Sequence, residues 1–310
     1  MIASNSIRWL LDDCCIYEPS ATGSLRLNIT ELAGNLAYHA MMLEAHLTPK
    51  PGLVDCVSTG AHRDMDINTF IASSDALRPY MKRFVRAGIE AQDLEAHDLL
   101  LPLRKVGIEA ECAMFSATQD VNTHKGMIFT LGLICGAVGW LYARNESFDA
   151  QQVQRVIKAC CSNLVSADLD KAGSTAITAG EKIYQKYGLT GIRGEAADGY
   201  PTIFNHGLHV YEECMSKGYS EEQAMSKTLL SLMAYNCDTN LINRGGIEGL
   251  KYVQDSASLL YLGFESNMSD YGTQLGQLDI ELIQKNLSPG GSADLLAATW
   301  LLAQLNICSK

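Results

Sequence analysis

The sequence is built largely from segments in which apolar residues recur every three to four positions. This spacing matches the period of an α-helix. No run of four to eight β-branched residues alternates with polar ones, and no strand–helix–strand rhythm is present. The sequence therefore predicts an all-α fold. In residues 28–47 the repeating apolar positions are Leu32, Leu36, Ala40, Leu43 and Leu47.

We predict one globular bundle of about ten helices, because no repeat period or compositional linker divides the chain. Residues 1–27 are weakly patterned and are predicted to be an N-terminal extension, followed by a helical domain over 28–310. Segment 126–143 is long and apolar, so it is predicted to be a buried helix whose glycines allow close packing. The predicted helices span 28–47, 67–95 (interrupted at Pro79), 102–116, 126–143, 149–166, 174–187, 205–217, 221–235, 247–262, 276–287 and 292–306.

Composition and charge limit the function. The 310 residues are 47% hydrophobic and 19% charged, which allows a large core and argues against global disorder. The net charge of −11 argues against nucleic-acid binding and against attraction to anionic membranes. A site for an anionic ligand would therefore need a local concentration of positive charge.

The cysteines and the N-terminus indicate a cytoplasmic protein. The ten cysteines include no C-x-x-C pair, and scattered cysteines within helices are typical of reduced, buried thiols. The first fifteen residues contain Asp12 and Asp13 and have too short an apolar run for a signal peptide. We also find no stretch of about eighteen apolar residues and expect no membrane span.

The loop over residues 44–66 is the most constrained polar segment. Pro49 and Pro51 fix the backbone on both sides of Lys50, which therefore cannot continue the preceding helix. A rigid polar loop that follows a helix is a common place for binding and catalytic residues.

Five polar segments lie next to predicted helix ends. A helix N-terminus has unpaired N–H groups and a partial positive charge, so it binds anions. For one such loop, ordinary capping is the simpler interpretation, but several loops with Lys, Arg or paired glycines favour a phosphate site. The segments are 44–66, 121–126, 191–207, 238–246 and 288–294.

Cations and carboxylates in these segments are the candidate site residues. Carboxylates that hold Mg²⁺ normally share it with phosphate oxygens and water, although an isolated D-x-D is more often a solvated pair. His206 and His209 lack a third ligand nearby, so zinc is not expected. The residues suggest phosphate contacts at Lys50, Arg63, Lys125, Arg193, Arg244, Gly290, Gly291 and Ser292, metal contacts at Asp64, Asp66 and Asp294, metal or ribose contacts at Asp238 and Asn240, and a general base at Glu195 or Asp238.

The same segments, in this order, resemble the triphosphoribosyl-dephospho-CoA synthase family, which serves citrate lyase and malonate decarboxylase. The resemblance covers residues from about Glu44 to Leu302. It is carried by TPKPGLVD at 48–55, GAHRDM at 60–65, VNTHKG at 121–126, RGEA at 193–196, GYP at 199–201, DTN at 238–240, RGG at 244–246 and LSPGGSADLL at 287–296.

The resemblance implies a helical, Mg²⁺-dependent enzyme that transfers the triphosphoribosyl group of ATP to the 2′-hydroxyl of 3′-dephospho-CoA and releases adenine. The product would pass to a separate transferase that loads an acyl carrier protein. Within the motifs, Asn122 and His124 join the expected substrate contacts. Two alternatives remain: an ATP N-glycoside hydrolase and a nucleotide-binding protein without turnover. A homo-oligomer also remains open.

Three positions depart from the family pattern. Ala197 stands where a second glutamate is common, which puts a carboxylate role there in doubt unless Asp198 replaces it. Cys56 stands in place of a usual basic residue, so one phosphate contact is in doubt. Cys237 replaces a small glycine before Asp238.

Overall fold

A computed structural model describes residues 17–19, 25–170, 178–265 and 270–309. Twelve α-helices account for most of these residues, which confirms the predicted all-α fold. They are α1 (Ile29–His46), α2 (Ile67–Glu90), α3 (Leu100–Thr118), α4 (Lys125–Ala143), α5 (Ala150–Cys161), α6 (Ala179–Tyr187), α7 (Gly191–Ala197), α8 (Leu208–Ser216), α9 (Glu221–Tyr235), α10 (Thr239–Gly263), α11 (Tyr271–Gln284) and α12 (Gly290–Cys308).

Helices α4 and α12 form the centre of the protein. Both are apolar around most of their circumference, and most of their residues are buried, as expected of a core helix. Helix α12 packs against α1 and α4 on one side and against α8 and α9 on the other. The first four helices also pack on one another, so α12 joins them to the later helices.

Glycines allow α2 and α4 to lie close together, as predicted for segment 126–143. A methyl group at Gly139 would lie 2.0 Å from the carbonyl oxygen of Val85, and one at Gly88 would lie 2.0 Å from the carbonyl oxygen of Gly136. The backbones touch at these points, and no larger residue fits without moving one helix.

Several elements differ from the prediction. Two three-residue strands, Tyr17–Pro19 and Leu25–Leu27, pair antiparallel within the predicted extension. Helix α2 continues through Pro79, which is exposed. Residues 188–201 are rich in glycine and charge and are predicted to be a loop, but helix α7 lies inside them. The first residues of the predicted helix 174–187 fall outside the described residues.

Helix α10 also begins earlier than predicted. It starts at Thr239 rather than near residue 247, with a kink at Gly246, where φ is +65°. The glycine pair in this segment favours a loop by propensity. A kink that glycine tolerates keeps the helical hydrogen bonding on both sides of it.

Helix α4 meets the length and hydropathy of a membrane span, with a mean hydropathy of 1.7, although we expected no such stretch. However, 78% of its most apolar window is buried inside the protein. Helix α4 is therefore a core helix of the protein.

Candidate active site

A cavity of about 780 Å³ brings the five polar segments together. Its volume is within the range typical of small-molecule sites, roughly 300–1,000 Å³. The predicted residues that line it are Lys50, Asp64, Asn122, His124, Lys125, Arg193, Glu195, Asp238, Asn240, Arg244, Gly290, Gly291 and Asp294.

Four helices begin at the cavity wall: α4, α6, α10 and α12. Helix α6 is capped by its own Thr178, whereas α4 and α12 have no side-chain cap from the residue that precedes them. The positive ends of four helix dipoles therefore lie at one cavity, and the first N–H groups of α4 and α12 have no cap from the residue before them. This arrangement favours an anionic ligand.

Asp238 holds the starts of two of these helices. Its Oδ1 accepts a hydrogen bond from Asn240 N at 2.9 Å, which caps α10. Its Oδ2 accepts one from Ser292 N at 3.0 Å, which caps α12 from outside that helix. Burial raises the pKa of Asp238 to about 6, although these hydrogen bonds oppose the shift. Ser292 is buried behind Asp238 and is not among the lining residues.

Lys50 lies in the cavity wall but already has an anionic partner. Its Nζ donates to Glu44 Oε1 at 2.5 Å and to the Glu44 carbonyl oxygen at 2.7 Å, at the end of α1. Both side chains are 1% exposed. The backbone N–H of Lys50 donates to Asp55 Oδ2, which closes the loop. The positive charge predicted for phosphate binding is therefore neutralised by Glu44.

Two buried atoms near Lys50 have no hydrogen-bond partner among the described residues, namely Glu44 Oε2 and His124 Nε2. On the other side of its ring, His124 Nδ1 lies 2.7 Å from Ser73 Oγ. Burial, and then the charge of Lys50, lowers the pKa of His124 to about 3, so the imidazole is neutral at pH 7.

Arg244 joins the loop over residues 44–66 to the segment before α12. It donates to the carbonyl oxygen of Ala61 at 2.7 Å and to Asn286 Oδ1 at 3.0 Å, and it also contacts His62. His62 in turn lies 2.9 Å from Ser288 Oγ. Burial and the neighbouring guanidinium lower the pKa of His62 to about 4. A neutral His62 therefore accompanies a charged Arg244.

Glu195 is held by the turn that follows it. Thr202 Oγ1 donates to its Oε1 at 2.7 Å, and Thr202 N donates to its Oε2 at 3.2 Å. Burial raises the pKa of Glu195 despite these hydrogen bonds. The neighbouring Arg193 lies 3.7 Å from Asp168.

Two further predicted residues lie at the start of α4. Lys125 Nζ is 2.9 Å from Glu111 Oε2, and Asn122 Oδ1 accepts from Lys125 N at 3.3 Å. Asp294 lies opposite, and a methyl group at Gly126 would be 2.0 Å from its Oδ2. Burial and nearby negative charges raise the pKa of Asp294 well above its usual value.

Besides Ser292, two predicted residues do not line the cavity. Arg63 is exposed on the loop. Asp66 caps α2, accepting hydrogen bonds from the N–H and hydroxyl of Thr69 at 2.9 Å. Its position in the sequence, directly before a helix, accounts for this role.

The structure adds Glu44 and His62 to the site. Glu44 falls on the apolar face of α1, four residues after Ala40, and both are buried. A charged residue within such a face is a sequence signal for a buried partner or ligand. His62 lies inside a family motif, but its contact with Arg244 joins positions 182 residues apart.

The positions that depart from the family pattern differ in location. Ala197 is the last residue of α7 and is half-buried, and Cys56 is exposed. Cys237 is exposed and lines the cavity next to Asp238.

Several helix N-termini around one cavity are typical of the class of helical proteins that bind phosphate-bearing ligands. The family model described as "CitG: ATP:dephospho-CoA triphosphoribosyl transferase" matches residues 30–310. This chain belongs to that family.

Relatives agree with this assignment. A Vibrio cholerae serotype O1 protein named "Probable 2-(5''-triphosphoribosyl)-3'-dephosphocoenzyme-A synthase" is 55% identical over 287 residues, covering 92% of each chain. The 2-(5''-triphosphoribosyl)-3'-dephosphocoenzyme-A synthase of Pectobacterium atrosepticum is 47% identical over 264 residues, covering 85% of this chain and 86% of its own.

One crystal structure, of an Archaeoglobus fulgidus protein named for the same synthase activity, is also similar. It covers 76% of this chain and 98% of its own, with 16% identity and a TM-score of 0.43. A likeness this distant adds no argument about the site.

Proposed function

We propose that this protein transfers the 5-triphosphoribosyl group of ATP to the 2′-hydroxyl of 3′-dephospho-CoA and releases adenine. The observation that carries the proposal is the meeting of four helix starts around one cavity of about 780 Å³. Backbone N–H groups there can bind a triphosphate within a protein whose net charge is −11. Membership of the CitG family and the names of its relatives support the same reaction.

The reaction breaks the N-glycosidic bond of ATP and leaves the triphosphate intact. Its transition state carries positive charge at the ribose C1″, as in other glycosyl transfers. Glu195 and Asp238 lie in the cavity wall, and protein donors fix both oxygens of each. Carboxylates held in this way can stabilise developing positive charge without moving.

We assign the phosphate contacts to the N-termini of α4 and α12 and to the cationic side chains in the cavity wall. The first residues of α4 and α12 offer backbone N–H groups, and Lys125, Arg193 and Arg244 supply positive charge. Fixing the triphosphate positions the ribose for attack and excludes rotation of the donor. The paired glycines make room for two site residues, since a methyl group at Gly290 would lie 2.9 Å from Asn240 Nδ2 and one at Gly291 would lie 3.0 Å from Asp238 Oδ1.

The residues present fit a Mg²⁺ ion that enters with the triphosphate. Asp294 lines the cavity, and no described residue donates a hydrogen bond to it. No group of three His, Cys, Asp or Glu residues in the described ranges could hold a metal alone. Mg²⁺ needs only one or two carboxylates when phosphate oxygens and water complete its shell. When bound, the ion neutralises phosphate charge, and Asp294 would hold it.

An apolar lobe of the cavity fits the pantetheine arm of the acceptor. We define this lobe by Phe84, Leu100, Leu103, Gly107, Ile108 and Leu133. The Phe84 ring packs on Gly132, seven residues along α4 from Lys125, which is about 10 Å from the phosphate end at 1.5 Å per residue. A side chain at Gly107 would meet only Phe84, at 3.9 Å, so this position leaves space for a ligand.

Mass spectrometry of the protein with ATP, Mg²⁺ and 3′-dephospho-CoA tests the proposal. We expect equal amounts of adenine and a triphosphoribosyl-dephospho-CoA product. Adenine release that ignores dephospho-CoA, with free triphosphoribose as the product, would instead identify an N-glycoside hydrolase. If no adenine appears in any mixture, the protein binds nucleotides without turnover and the proposal fails.

The product keeps its triphosphate intact, so an activated phosphoryl group remains for a later transfer. We therefore propose, from the family resemblance, that it passes to a separate transferase that loads the acyl carrier protein of citrate lyase or malonate decarboxylase. Incubation of the product with each carrier protein and its transferase distinguishes the two pathways.

A further inference from the structure

Most carboxylates in the cavity wall already have partners. Glu195 and Asp238 accept hydrogen bonds on both oxygens. Glu111 and Asp168 are ion-paired, with Lys125 at 2.9 Å and Arg104 at 2.8 Å. Glu111 and Asp168 are also 32% and 23% exposed. Three other carboxylates among the described residues line the cavity: Glu44, whose partner Lys50 is itself buried, Asp64 and Asp294.

Glu44 is the one of these three that combines burial, an ionic partner and an unused oxygen. Asp64 is 65% exposed, and Asp294 lies beside the start of α4, where we place the triphosphate and its cation. Glu44 is 1% exposed, and Lys50 holds its Oε1. Its Oε2 has no hydrogen-bond partner. A buried carboxylate oxygen without a hydrogen-bond donor costs free energy, and a ligand that donates to it would remove that cost.

His124 offers the complementary group in the same wall. Ser73 Oγ accepts a hydrogen bond from Thr123 at 2.8 Å and lies 2.7 Å from His124 Nδ1. The Ser73 hydroxyl can donate its single hydrogen to Nδ1, and in that tautomer the hydrogen of the neutral ring is on Nε2. That Nε2 is buried and has no partner. The ring is also fixed by edge-on contact with Phe70, with centroids 4.9 Å apart.

We propose that Glu44 and His124 bind the attacking 2′-hydroxyl of 3′-dephospho-CoA, with Glu44 Oε2 as the base that takes its proton. This inference rests on the proposed function. A hydroxyl can donate to Glu44 and accept from His124 at once. A phosphate oxygen only accepts and is repelled by Glu44, whereas an ammonium only donates and is repelled by Lys50.

The transfer balances as follows. The 2′ oxygen forms the bond to C1″ with its own electron pair while its proton passes to Glu44 Oε2. The C1″–N9 bond breaks, and its electron pair leaves with adenine, which takes up a proton from solvent. Glu44 then returns its proton to solvent, so the protein ends unchanged.

The test combines protein variants with ligands that lack single hydroxyls. Wild type should bind 3′-dephospho-CoA roughly ten- to a hundredfold more tightly than its 2′-deoxy analogue, the range for one hydrogen bond to a charged group. Titration calorimetry with Glu44→Gln should show this preference largely lost. If Glu44→Gln does not fold because Lys50 loses its counter-charge, Glu44→Asp keeps the charge but withdraws the oxygen, and should lose the preference too.

Turnover gives a second readout. Glu44→Gln and Glu44→Asp should lower kcat by roughly a hundredfold or more, as expected when a base is removed, while the affinity for ATP stays within about twofold. His124→Ala should weaken the 2′-hydroxyl preference. His124→Gln, whose amide can replace the Nε2–H donor, should restore part of it. A charged role for His124 would predict no rescue by Gln.

Glu31→Gln is the matched control, since Glu31 lies on the same helix, pairs with Lys82 at 2.5 Å and does not line the cavity. It should leave both readouts unchanged. The inference is overturned if the preference survives in both Glu44 variants, or if Glu44 instead couples to a hydroxyl of ATP, tested with 2′-deoxy-ATP and 3′-deoxy-ATP.

Failure of the inference differs from failure of the proposed function. If wild type makes the triphosphoribosyl product and the Glu44 variants make it equally fast, only the inference is wrong. If wild type neither binds dephospho-CoA nor makes the product, both are wrong.

Discussion

At the scale of single residues, the cavity is organised by side chains that fix two pieces of backbone at once. Asp238 caps α10 and α12 together, and Glu195 holds the turn that begins near Thr202. Such carboxylates orient the site by accepting hydrogen bonds from its backbone, so their removal should affect both folding and ligand binding.

Replacing Asp238 with alanine should therefore reduce both stability and activity. Loss of the two caps is expected to destabilise the protein by about 1–3 kcal/mol and to lower turnover at least about tenfold. Chemical denaturation and the adenine-release assay measure the two effects.

Asp149→Ala is the control for Asp238. Asp149 caps α5 through Gln152 N at 3.0 Å and lies outside the cavity. It should lose about 1 kcal/mol of stability and no activity. Equal loss of activity in both variants would mean that Asp238 acts only through global stability.

Residue chemistry was only partly predictable from the sequence. The segments that hold Lys50, Asp238 and Gly290 could be recognised as polar helix ends, and the structure brings them to one cavity. The pairing of Lys50 with Glu44 could not be read from spacing, because it depends on how the loop folds back onto α1. The individual roles assigned to the site residues stay predictions.

At the scale of elements, helices with strong apolar patterns were predicted closely. The predicted helix 221–235 is observed as Glu221–Tyr235, and 126–143 as Lys125–Ala143. Helices in glycine-rich segments were not predicted closely. Helix α7 forms although glycine disfavours helix, because tertiary contacts outweigh propensity over so short a segment. The strand pair before α1 carried no alternation long enough to detect.

The start of α4 provides a test at this scale. Gly126→Ala would place a methyl group 2.0 Å from Asp294 Oδ2, so it should displace that carboxylate from the cavity wall. We expect weaker Mg²⁺-dependent ATP binding, by roughly tenfold or more, measured by calorimetry with and without the metal.

Gly276→Ala is the matched variant, because Gly276 is also within a helix and nothing lies within 4 Å of its added methyl. It should keep its ATP affinity and gain up to about 1 kcal/mol of stability. If Gly126→Ala binds ATP as tightly as Gly276→Ala does, Asp294 has no part in holding the nucleotide.

At the scale of the whole molecule, the site is assembled from segments that are far apart in the chain. The starts of α4, α10 and α12 meet because α12 packs on α1 and α4 and also on α9. The order of the motifs identified the family, but the convergence itself depends on tertiary packing that no local pattern encodes.

This assembly predicts how the protein responds to ATP. Hydrogen exchange should slow together at the starts of α4, α10 and α12, because one ligand contacts all three. Helix α8 does not line the cavity and should change little. Protection confined to a single helix start would contradict a shared nucleotide site. Mass spectrometry of deuterium uptake with and without ATP and Mg²⁺ makes the comparison.

The cavity wall contains its own counter-ions. Lys50, Lys125 and Arg193 each lie within 4.0 Å of a carboxylate of the same chain. An incoming polyanion must therefore exchange partners with those carboxylates rather than meet bare positive charge, and its net gain is a difference between two sets of ion pairs. Weakly matched anions, such as single phosphates or stray nucleic acid, gain little from that exchange. The carboxylates of the cavity wall thus compete with every incoming anion for the same cations, and this competition makes the site selective.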